Sequence, residues 1–295
     1  MKIAYIGFGE AAYNIMKGWA AEGLKELYAY DANRDHPTKG ELIRRRAAEV
    51  GVTLTDTLEE ACKDAAFIFN NTSASVALSI AEQVLPTLQP GQVYLDLNAT
   101  SPETKEKMDR VPRADGVWFV DVAVMGSIAA KGHKTKMYLS GAPEGVQRFY
   151  EVFRAYGMNL NPLDAPAGGA SAIKMFKSVF SKGLPQLFLE SMLPAAKYGV
   201  LDEYMKNIDN TFKNRTVSEY ADDVLYRTVI HAERRSHELA EVVSTIESLG
   251  MDASMSRAIE AKLKQMVAQD LPSLIPADAV VDYHEVIRRI LEKTE

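Results

Sequence analysis

At 295 residues, 47% hydrophobic and 25% charged, the chain is long enough for about two domains with real cores. A net charge of -6 and an isoelectric point near 5.5 exclude the basic surface that a phosphate backbone demands, so no nucleic-acid partner is expected. The lone Cys62 excludes an internal disulfide and a multi-cysteine metal centre, and no run resembles a signal peptide or a membrane span, so a cytoplasmic protein without metal is expected.

The chain opens on an apolar run, residues 2–6, followed by Gly7-Phe8-Gly9-Glu10-Ala11-Ala12 and helical spacing over 13–21. That order predicts strand, glycine turn and helix. Gly7 would make the tight turn, Gly9 would let the backbone approach a pyrophosphate, and small Ala12 would let helix and strand pack closely. The helix N-terminus then presents free N–H groups to phosphate. A second strand, 26–30, ends in Asp31, whose carboxylate suits the ribose hydroxyls of NAD and repels a 2′-phosphate. Arg34 is the competing receptor for that phosphate. NAD is favoured over NADP.

Further strands are expected at 52–54, 66–70, 92–97, 116–124 and 137–139, with helices at 58–63, 76–85 and 146–156 and one opening at Pro102. The alternation predicts an α/β Rossmann-type, doubly wound parallel sheet over residues 1–165. In such sheets ligands sit at the carboxyl ends of strands. There lie Gly7–Ala12, Asn71-Thr72-Ser73, Asn98-Ala99-Thr100-Ser101 and Met125-Gly126-Ser127, four loops expected to line one crevice.

From residue 166 to 295 only helices are expected, forming a substrate and dimerisation domain. Gly168 and Gly169 break the preceding structure, and Ser171 is the expected cap of a helix reaching Lys197, kinked or interrupted at Pro185 and Pro194. Ile173, Phe176, Val179, Phe180 and Leu184 fall on one side of it and Ser171, Lys174, Lys177, Ser178, Ser181 and Lys182 on the other. The helix is expected to be largely buried, with its polar stripe facing a groove. Further helices are expected at 201–212, 217–249, 255–267 and 281–293. In the second of these His231, Arg234, Arg235 and Glu238 share a face. So much apolar helix surface predicts a homodimer.

These motifs resemble the beta-hydroxyacid dehydrogenase and 6-phosphogluconate dehydrogenase superfamily over roughly residues 1–185. Gly7–Ala12 resembles its dinucleotide fingerprint, and Asp96-Leu-Asn98-Ala-Thr100-Ser101-Pro102 its loop beside the nicotinamide. Asp121-Val-Ala-Val-Met125-Gly126-Ser127 resembles its substrate loop, and 168–174 the segment carrying the catalytic lysine. Two departures stand out. Met125 replaces the substrate-loop serine, and Lys177 and Ser178 replace asparagines that usually follow the lysine. The Lys-Met-x-Lys-Ser run and the helical tail are more similar to a branch with a phosphogluconate-dehydrogenase-like C-terminal domain of unknown function.

The resemblance implies hydride transfer between NAD(P) and the carbinol carbon of a small polar, anionic substrate, with Lys174 as general acid–base. An amine titrating near 10.4 in water must be lowered to act near neutrality, and burial and the like charge of Lys177 push that way. Gly126, Ser127, Ser101, Lys177, Ser178, His231 and Arg234 are the candidate substrate contacts. Phe8, Glu10, Ala11, Asn71, Thr72, Ser73, Asn98 and Thr100 join Gly7, Gly9, Ala12, Asp31 and Arg34 as candidate cofactor contacts. Imine reduction on the same architecture, and a nucleotide-binding sensor without turnover, are the alternatives.

Overall fold

A computed structural model describes residues 1–276 and 279–294; Glu295, the expected end of the helical half, lies outside them. The chain forms two compact units, Met1–Val179 and Phe180–Glu295. The first contains, in chain order, β1 (Ile3–Ile6), α1 (Glu10–Ala21), β2 (Leu27–Tyr30), α2 (Gly40–Val50), β3 (Thr53–Leu54), α3 (Leu58–Cys62), β4 (Phe67–Asn70), α4 (Ala77–Val84), β5 (Val93–Asp96), α5 (Pro102–Asp109), β6 (Trp118–Val124), α6 (Ile128–Lys131), β7 (Met137–Gly141), α7 (Pro143–Arg154) and β8 (Leu160–Pro162). Then α8 (Gly169–Lys197) begins, and its later turns belong to the second unit.

The eight strands form one sheet in the order β3-β2-β1-β4-β5-β6-β7-β8. β3 through β6 are parallel, as expected of a doubly wound sheet, but β7 runs antiparallel to β6 and β8 runs parallel to β7. The link from Val124 to Met137 holds only the single turn of α6 and a 3-10 turn, too little helix for a crossover, so the chain reverses instead. β8 escapes a reading by pattern because it is short and ends in Pro162.

Each face of the sheet buries its own core. Under α1 and α7, Trp19 packs against Phe69 and Phe153 with ring centroids 5.1 and 4.9 Å apart. On the opposite face Ile6, Ile68, Tyr94 and Phe119 pack with residues of α3, α4 and α5. The ladders align Asn70 with Asp96, Asp96 with Asp121, and Asp121 with Ser140. Four buried polar side chains therefore form one row across β4, β5, β6 and β7.

The second unit adds α9 (Leu201–Phe212), α10 (Val217–Ile230), α11 (Ala232–Ser248), α12 (Ser254–Ala268) and α13 (Tyr283–Thr294) to the end of α8. The single helix expected over 217–249 is two, broken at His231. The β-branched run Thr228-Val229-Ile230 weakens the helix there. Each half also serves a separate cluster, Val229 with Leu271, Ile275 and Val286, and Val243 and Ile246 with Ala253. Pro185 and Pro194 sit inside α8 without ending it. The burial expected for α8 is not found in the single chain: Phe176 is 66% exposed, Val179 74% and Phe180 56%. No helix among the described residues is long and apolar enough to cross a membrane.

Candidate active site

The strand order reverses between β1 and β4, the switch point at whose carboxyl ends such sheets bind their ligands. Gly7 holds φ +87°, and a Cβ there would lie 2.7 Å from the carbonyl oxygen of Asn71. The turn is glycine by geometry and by close approach. Gly9 differs. It has extended backbone (φ -76°, ψ -165°), and no atom lies within 4 Å of where its Cβ would stand. It N-caps α1 without a side-chain acceptor, so the first turn around Glu10, Ala11 and Ala12 faces that space with uncapped donors. A pyrophosphate fits such a cradle.

At the end of β2, the Asp31 carboxylate accepts hydrogen bonds from the Phe8 N–H at 2.7 Å and the Asn33 N–H at 2.8 Å. It is thus locked beside the glycine turn. The Arg34 guanidinium is occupied by Asp35, Asp56 and the Thr55 carbonyl oxygen, so its charge is already compensated. After β4, Asn71 donates its N–H to Ile6, Thr72 donates to Asn70 Oδ1 at 3.0 Å, and Ser73 bonds Ser75. After β5, buried Asn98 spends its side-chain amide on Asp96 and the Asn70 carbonyl oxygen. The Thr100 hydroxyl is buried with no partner among the described residues, a donor aimed at nothing the protein supplies.

The buried row carries a charge cluster that motif reading passes over. Lys105 of α5 is fully buried, with Nζ 2.5 Å from Asp96 Oδ1 and 3.1 Å from Asp121 Oδ1. Burial pushes the Asp96 carboxyl up, against the pull of the Lys105 ammonium and the Asn98 hydrogen bonds. The signal was present: Lys105 and Met108 share the inward face of α5, next to two strand acids.

Asp121 also fixes the start of α8. Its Oδ1 accepts from the Ser171 hydroxyl at 2.7 Å and its Oδ2 from the Ser171 N–H at 2.9 Å, while Ser140 receives the Ala170 N–H at 2.9 Å. Ser171 is therefore an anchor in the first turn rather than the cap of α8, which begins at Gly169. Gly168, at φ +98°, allows the approach, since a Cβ there would lie 3.0 Å from the Pro102 carbonyl oxygen. One turn after Ser171 stands half-buried Lys174. Burial pushes its ammonium below the usual lysine value, the like charge of Lys105 adds to this, and Asp121 opposes it.

The other candidate side chains are partly committed. Ser101 caps α5, Ser127 caps α6, and Ser178 donates to the Lys174 carbonyl oxygen at 3.1 Å. Gly126 turns the chain at φ +145°, and Lys177 is exposed. His231 and Arg234 lie in the second unit. His231 stands at the break between α10 and α11, and Arg234 is paired with Glu238 at 2.8 Å.

Residues 2–163 match the family model described as the NAD binding domain of 6-phosphogluconate dehydrogenase. The chain belongs to this family. A second match, over residues 195–266, is to a domain of unknown function, DUF1932. A conserved hypothetical protein from Sinorhizobium meliloti 1021 is 29% identical, with TM-score 0.67 over 99% of this chain and 96% of its own. A conserved protein of unknown function, noted for structural similarity with 3-hydroxyacid dehydrogenases, is 26% identical, with TM-score 0.62 over 92% of this chain and 98% of its own. An imine reductase variant from Myxococcus stipitatus in complex with NAD+ shares the fold at TM-score 0.71 and 16% identity, each chain 98% covered. As a member of the 6-phosphogluconate dehydrogenase NAD-binding family, the protein is an NAD(P)-binding oxidoreductase.

Proposed function

We propose that the protein transfers a hydride between NAD and the carbinol or carbonyl carbon of a small, polar, anionic hydroxyacid-like substrate, with Lys174 as general acid–base. One observation carries this reading: a half-buried amine stands one turn beyond a helix start that Asp121 ties to the strand row behind the crevice. When bound, the nicotinamide supplies the hydride chemistry. The protein's share is to hold the substrate carbon in place and move one proton. Lys174 Nζ, its charged form disfavoured by burial, takes the hydroxyl proton in oxidation and returns it in reduction.

Lys177, exposed one turn later, offers a charge for the substrate's acid group, and the Gly126 and Ser127 N–H groups offer donors. Ser127 accepts its capping bond through oxygen, which leaves its O–H free to donate to substrate. Asp31 would take the ribose hydroxyls, while Asp35 and Asp56 around Arg34 disfavour a 2′-phosphate, which supports NAD over NADP. The exposed Phe176, Val179 and Phe180 support a homodimer.

The test is turnover against panels of hydroxyacids, ketoacids and imines with both cofactors. Lys174→Ala should lower kcat by roughly 10²–10⁴ while leaving cofactor affinity unchanged. Normal turnover by that variant would sink the mechanism, and turnover of imines alone would replace hydroxyacid oxidation with imine reduction.

A further inference from the structure

A lysine with no exposed surface, three residues beyond the loop motif that ends at Pro102, needs a reason. Lys105 reaches back from the first turn of α5, donating to the Asp96 carbonyl oxygen at 2.9 Å and sitting within ion-pair distance of both Asp96 and Asp121. An apolar residue of similar volume would fill the space without the cost of desolvating three charges. The two carboxylates face different parts of the site. Asp96 accepts from Asn98, in the loop leading to Thr100, and Asp121 accepts twice from Ser171, one turn before Lys174.

We propose that Lys105 is a positioning residue for the acid–base lysine: it ties the loop after β5 to the first turn of α8 through a shared ammonium and sets its positive charge against the Asp121 carboxylate that anchors α8 one turn before Lys174. The inference rests on the assignment of Lys174 as the proton carrier. Asp96 on β5, Lys105 on α5 and Asp121 on β6 form one buried charge cluster. On α8 itself the other cation of this region is exposed Lys177, which water screens. Burial and the like charge of Lys105 drive the proton off Lys174, and Asp121 calls it back. Without Lys105, Asp121 would hold the proton with no like charge opposing; without the charge of Asp121 nothing would hold it against burial.

Opposite changes on the two partners separate this from simple packing. Lys105→Met and Asp121→Asn are made in the full-length chain. For each, the rate of Lys174 modification by a small amine-reactive acylating reagent is followed against pH by peptide mass spectrometry, with folding checked by circular dichroism. Lys105→Met should move the Lys174 profile to higher pH, slowing modification on its rising limb about tenfold for every pH unit that the profile moves. Asp121→Asn, which keeps the shape and an acceptor for Ser171, should move it to lower pH. Loosened packing would admit water in both variants and move both profiles upward, toward ordinary lysine. An upward or absent displacement in Asp121→Asn overturns the proposal, and that variant decides alone if Lys105→Met does not fold. The readout needs no substrate, so normal turnover by Lys174→Ala would remove the catalytic reading while the profiles still judge the electrostatic coupling.

Discussion

Gly9→Val should abolish cofactor binding and spare the fold, whereas Gly7→Ala should do the reverse damage first. At Gly9 the backbone is in the extended region that β-branched residues accept, and a Cβ meets nothing within 4 Å. The stability change should stay within about 0.5 kcal/mol, a change in Tm of about 1–2 °C. The valine methyls, however, would fill the open space before the first turn of α1, where the pyrophosphate must approach. A hundredfold weakening, about 2.8 kcal/mol, is the minimum expected for a blocked phosphate cradle. At Gly7 the positive φ alone costs about 1–2 kcal/mol for any other residue. The 2.7 Å approach to the Asn71 carbonyl oxygen adds a backbone clash that flexible side chains cannot relieve. A total of about 3–4 kcal/mol lowers Tm by on the order of 10 °C. NADH fluorescence titration and thermal melts of both variants, side by side, give the answer. A folded Gly9→Val that binds NADH like wild type would refute the reasoning, as would a Gly7→Ala as stable as wild type.

Wild type should bind NADH more tightly than NADPH, and Asp31→Ser should narrow the gap; direct titration showing NADPH preferred would reverse the cofactor assignment. Ser171→Ala removes a buried hydrogen bond to the Asp121 carboxylate and should cost about 1.5–3 kcal/mol, seen as a fall in Tm of about 3–12 °C. Burial pushes the Cys62 thiol up to about 12 from 9.0, so the unfolded chain ionises first and stability is lost as pH rises between these values. Urea titrations at pH 8 and 10.5 should therefore show a smaller alkaline loss for Cys62→Ala than for wild type, by up to about 1.4 kcal/mol per pH unit, and equal losses would exclude the thiol as the cause. Sedimentation at micromolar concentration should show a species of twice the 32.6 kDa chain, and a lone monomer peak would count against the homodimer.

The glycine turn, Asp31 and the helix bearing Lys174 are legible because each depends on local chemistry: a φ that only glycine takes readily, an acid ending a strand, a spacing of 100° per residue. What escapes is set by partners distant in sequence. Lys105 reads as one more lysine in a charged helix until the sheet register places Asp96 and Asp121 side by side beneath it. Ser171 reads as a cap because caps are local, but its bonds go fifty residues back to β6. The reversal at β7 is likewise a matter of what the link lacks, a crossover helix, rather than of any residue within the strand. The break at His231 leaves only a weak trace in three β-branched neighbours, since helix propensity differences of a few tenths of a kcal/mol yield to packing.

The two outermost strands carry a consequence of their own. β3 is two residues long, and β8 ends on a proline that has no N–H to offer. A sheet bounded this way gives a stray strand almost no ladder to join, so it is protected from growing by edge-to-edge addition even though its eight strands are mostly apolar. The antiparallel turn that brings β7 and β8 into place thus has a value separate from chemistry: it moves the boundary of the sheet away from the long, apolar β6. Replacing Pro162 with a β-branched residue would lengthen the exposed ladder at the place where this protection is thinnest.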